Sequence, residues 1–67
     1  MMEAEQLLGR KVVDAGGLDV GVVLDVGIGE QRAPKFLLVG KPSARYQRVE
    51  MRDVAEVKPD LVLLRHR

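Results

Sequence analysis

Few residues of this 67-residue chain have the chemistry for catalysis or metal binding. His66 is the single histidine and sits next to the last residue. A general base must be held in fixed geometry, and a residue beside a fraying chain end is not. Ser43 falls in the polar stretch KPSAR, remote in sequence from His66, so no Ser–His–Asp set is expected. Asp14, Asp19 and Asp25 offer oxygen ligands of the kind calcium takes, but their spacing is not that of an EF-hand loop and no bidentate glutamate follows at the required offset. Turn and strand-edge roles account for Asp14 and Asp19, and Asp25 is expected to be solvated or paired with Arg or Lys. Gly27-Ile28-Gly29 is a fragment of a glycine-rich loop without the Lys-Ser/Thr or the following helix that a phosphate cradle needs. There is no cysteine, hence neither a thiolate nor a disulfide. No catalytic, cofactor-binding or metal residue is therefore expected, and the chain is expected not to be an enzyme.

What remains is charge and apolar surface. Lys41, Arg45, Arg48, Arg52 and Arg65 make a candidate patch for an anionic partner. Arg and Lys contacts to phosphates dominate nucleic-acid affinity. Single-strand binders also stack bases on several aromatics, and only Tyr46 lies inside this cluster. An acidic protein surface, including the acidic hairpin of a second copy, is the other partner such a patch suits. Residues 1–33 hold three basic against six acidic residues, net −3, and residues 34–67 hold eight against four, net +4. Such asymmetry fits pairing of charge between the halves of one fold or between two subunits.

The elements that must position these residues are strands. Lys11 to Asp14 is a short apolar strand, and Ala15-Gly16-Gly17-Leu18-Asp19 is a turn whose glycines supply positive φ. Val20 to Ile28 alternates cleanly, with Val20, Val22, Leu24, Val26 and Ile28 on one face and Gly21, Val23, Asp25 and Gly27 on the other. The second row is the outer face, where Gly21 and Gly27 mark bends or a close backbone approach, as in a curling barrel sheet. After the turn GEQRAP come strands at Lys35–Gly40 and Tyr46–Met51, a single turn at Arg52–Val54, and two short strands at Ala55–Lys58 and Leu61–Arg65 around Pro59-Asp60. Met1 to Leu8 is a loose lead-in or one helical turn. The Lys35–Gly40 strand is apolar on both faces, which calls for a second covering layer. Phe36 to Val39 and Leu61 to Leu64 are first of all core, and surplus apolar faces among Phe36, Leu37, Val39, Val62 and Leu64 make the candidate self-association surface.

The phrase LGRKVVDAGGLDVGVVLDVGI, followed by FLLV, RVEMRDVAEV and LVLL, resembles the PRC-barrel family. The resemblance spans about residues 7–65. Gly9 to Val26 carries the distinctive part, G-x-x-V-x-D then G-x-x-V-G-x-V-x-D-V. It implies an all-β fold, a small, mostly antiparallel β-barrel of about six short strands. It also implies an adaptor or assembly role rather than catalysis. Such domains are found in a ribosome-maturation factor, in the cytoplasmic part of a photosynthetic reaction-centre subunit, and as stand-alone proteins. Where the family motif VPLxDV has proline, this chain has Glu50. The RNA-processing partner domain of the first and the membrane helix of the second are not in this sequence.

The combined expectation is a single domain over 1–67, with flexible ends at 1–6 and 66–67. It is a cytoplasmic protein-interaction module, homodimeric, with no cofactor, membrane or small-molecule partner. No apolar run approaches the ~20 residues of a spanning helix, and the acidic start MMEAEQ is unlike a secretion signal. The competing expectation is an RNA- or ribosome-associated accessory module using the basic patch.

Overall fold

The computed structural model describes residues 3–41 and 44–66. Six strands form one curled sheet: β1 Lys11–Val13, β2 Asp19–Ile28, β3 Pro34–Gly40, β4 Tyr46–Glu50, β5 Val54–Val57 and β6 Leu61–Leu64, in the order β4-β3-β2-β1-β6-β5. Neighbours are antiparallel except β1 and β6, which run parallel and join the first strand to the last, Val12 facing Val62. The sheet is an all-β half-barrel whose two edge strands are β4 and β5. Strand limits agree with the sequence pattern to within a residue or two.

Curling follows from β2, which breaks register three times along its length. Val20 bulges against β1, Leu24 bulges against β3, and Lys35 of β3 bulges opposite the Gly27–Ile28 end. Each extra residue kinks the strand and shifts side-chain phase by one. This corrects the expected face of β2. Val23, assigned to the outer face by strict alternation, is core at 2% exposure, whereas Leu24 and Ile28 are 47% and 56% exposed. Val20 and Val26 still lean on the core because the bulges restore their phase. Gly21 is needed where β2 crosses β3: its φ is +133°, and a Cβ there would lie 2.3 Å from the Gly40 carbonyl oxygen.

Every strand supplies the core. Val12, Val23, Leu37, Val39, Val49, Val54 and Val62 converge beneath the sheet, and Leu7 plugs it from the segment before β1. Leu7 is positioned by a 3-10 turn at Ala4–Gln6, closed by a reciprocal Glu3–Gln6 capping box. The lead-in is thus hydrogen-bonded from Glu3 on, while residues 1, 2 and 67 lie outside the described residues. Leu37, Val39 and Val62 are 0% exposed. That corrects their place on the candidate self-association surface: in a one-sheet barrel their rows face inward, and nothing of them reaches solvent. Among the described residues, no helix is long and apolar enough to cross a membrane.

Candidate functional site

The outer face of β2, β3 and β4 carries one half-buried member of the expected apolar set, Phe36. Phe36 stands directly opposite Gly27, and its ring occupies the space a Cβ at Gly27 would take, 2.1 Å from ring carbon Cε2. Arg48, diagonal to it on β4, lays its guanidinium over the ring, 3.8 Å from the centroid. The same guanidinium donates from Nε to Glu50 Oε1 at 2.8 Å, an ion pair two residues along the strand. Gly27 thus leaves room for the Phe36 ring, on which Arg48 stacks, and Glu50 ties off the arginine. The second layer demanded by a two-sided apolar strand is supplied here by an arginine. Beyond the stack the outer face is open and apolar: Leu24 is 47% and Tyr46 64% exposed, with half-buried Leu38 near them.

The inner register row Val23–Val39–Gln47 ends in a polar residue at the β4 edge. Gln47 marks a groove of about 310 Å³, lined on the β4 side by Gln47, Arg48 and Val49. Its other lining residues come from the end of β1 (Asp14, Ala15), from Asp53, and from Leu64, Arg65 and His66 at the end of β6. Leu64, from the expected apolar set, is half-buried in this wall.

The five basic residues differ in what surrounds them. Arg48 and Arg65 line the groove, and Lys41, Arg45 and Arg52 are exposed. Arg65 is occupied structurally. Its Nε donates to the Arg52 carbonyl at 3.0 Å and its Nη2 to the Val54 carbonyl at 3.3 Å, while its backbone N–H donates to the Asp53 carbonyl at 2.7 Å. Arg10, which the sequence pattern does not single out, does the same at the far end of β5: its Nη1 donates to the Lys58 carbonyl, and its Nε to that of Gln6 at 2.9 Å. Residues 42 and 43 of the loop beyond Lys41, Ser43 included, lie outside the described residues.

The hairpin carboxylates are engaged locally. Asp14 Oδ1 accepts from Gly16 and Leu18 N–H, both at 2.9 Å, Asp19 Oδ1 from Gly21 N–H at 3.0 Å, and Asp25 Oδ1 from Val26 N–H at 2.8 Å. These are the local bonds by which aspartate organises turns and bulges. Among the described residues no three His, Cys, Asp or Glu gather where they could hold a metal. The Arg48–Glu50 pair lies within one strand, so it does not join the acidic half to the basic half.

Against solved structures, the chain is similar in fold to a putative 16S ribosomal RNA processing protein, RimM, from Pseudomonas aeruginosa. The TM-score is 0.74 at 18% identity, over 98% of this chain and 44% of that one. The chain thus spans less than half the length of that neighbour. The likeness supports a PRC-barrel-like fold. No family model matches the chain, and no curated protein matches its sequence.

Proposed function

We propose that this chain is a non-enzymatic, cytoplasmic assembly module that binds protein and associates with itself. One observation carries this: the sheet ends on an edge strand, β4, beside a groove and next to an exposed apolar outer face bearing Leu24 and Tyr46. Unpaired strand edges template pairing with another chain, and exposed apolar area on so small a domain favours a partner that covers it. Sedimentation equilibrium at micromolar concentration tests it. Association above the 7.4 kDa monomer is the expected result, and a clean monomer removes self-association.

A second function is favoured by the likeness to the 16S ribosomal RNA processing protein. Exposed Lys41, Arg45 and Arg52 are the side chains available for phosphate contact, since Arg65 is turned to backbone carbonyls. RNA binding that falls with salt, and falls further in Arg45→Gln/Arg52→Gln, supports this function. No binding at low salt removes it.

A further inference from the structure

We infer that self-association runs through the β4 edge, two copies pairing antiparallel about a two-fold axis at Val49; this rests on the assembly function proposed above. The two edges differ in how they are protected. β5 is bulged between Val54 and Glu56, has both ends held by arginine side chains, and runs into Lys58-Pro59. Bulges, lysine and proline are the usual means of blunting an edge. β4 has none of these: its register with β3 is unbroken from Tyr46 to Glu50, and it contains neither proline nor lysine.

The sequence of β4 then selects the partner and the register. A two-fold axis perpendicular to the sheet keeps inward residues opposite inward residues, so the axis must pass through a residue of the strand. Centred on Arg48, it sets Arg48 against its own copy, and like charges directly opposite repel. Centred on Gln47, it sets inward Val49 against charged Arg45. Centred on Val49, it sets Val49 against Val49 on the inner face. On the outer face it sets Arg48 against Glu50 of the second copy, and Glu50 against its Arg48. Arg48 and Glu50 are already paired within each strand, so the contact becomes a four-membered ring of alternating charge. Arg48-Val49-Glu50 is thus complementary to its own inverted copy, and the pairing stops where the chain turns into a 3-10 helix at Met51–Asp53.

Charge reversal tests both edge and register. Arg48→Glu and Glu50→Arg, each alone, place like charges opposite across the axis. Each is expected to weaken dimerisation by about tenfold to hundredfold in sedimentation equilibrium. Mixed one to one, the two variants regain a heterodimer, and the double variant Arg48→Glu/Glu50→Arg dimerises like the unaltered chain. A single variant that dimerises normally, or a mixture that stays monomeric, overturns the β4 pairing while leaving self-association through another surface intact. If the unaltered chain is monomeric, self-association itself falls. Should both single variants fail to fold, Gln47→Lys leaves the four charges in place and sets a lysine on the inner side of the edge; a folded dimer of that variant overturns the inference.

Discussion

The two edges of this sheet, β4 and β5, solve one problem in opposite ways. β5 has a guanidinium on a carbonyl at each end, Arg65 on Val54 and Arg10 on the adjoining Lys58, and its ladder is interrupted by a bulge. β4 is regular, and its arginine points away from the edge backbone into a stack with Phe36 and an ion pair with Glu50. The same residue type therefore closes one edge and decorates the other. Arginine content alone does not define a binding patch; what the guanidinium donates to does.

Both edges hang on one core, so the largest effects erase the difference between them. Gly21→Ala is expected to cost more than about 3 kcal/mol, because its Cβ would lie 2.3 Å from the Gly40 oxygen at φ +133°. For a domain with a total stability of about 5 kcal/mol, the thermal unfolding transition should broaden or vanish. Leu37→Ala comes next, at about 2–5 kcal/mol for a fully buried leucine. In hydrogen exchange, β4 and β5 amides should then lose protection together.

Arg65→Ala should separate the edges. Losing charge-assisted bonds to the Arg52 and Val54 carbonyls is expected to cost about 1–2 kcal/mol. Exchange should quicken in β5 and β6 and leave β4 unchanged. Arg65→Lys should not restore protection, since an ammonium group lacks the planar fork that reaches both acceptors. The smallest effect is at the open edge. Glu50→Gln should alter monomer stability by less than about 0.5 kcal/mol, measured by urea denaturation at low protein concentration, because the pair it breaks is solvent-exposed. A large loss there would mean that β4 too is held by its arginine.

Local chemistry made much of this legible in the sequence. Gly16-Gly17, Pro59-Asp60 and the runs of Val and Leu placed the turns and strands, and Gly21 and Gly27 announced close approaches that the structure shows against Gly40 and Phe36. Long-range register was not legible. Alternation assigns Val23 outward, and only the bulges at Val20 and Leu24 turn it into the core. Leu37, Val39 and Val62 read as core in the sequence, but whether a surplus face of them reaches the surface is decided only by the curl of the sheet, which buries them completely. At the candidate site, Arg48 and Arg65 carry the same side chain in the sequence. What separates them is the identity of their acceptors, which follows from the tertiary fold.

The parallel pairing of β1 with β6 bears on how the molecule is made. Val12 waits for Val62, fifty positions later, before its inner row is covered. Closing so long a loop is entropically costly and slows folding of high-contact-order sheets. The β2–β3–β4 meander is built of neighbours in sequence and is complete by Glu50. Local contacts are expected to form first, so in folding the β4 edge is complete while Val12, already paired with Gly21, still lacks its β6 neighbour.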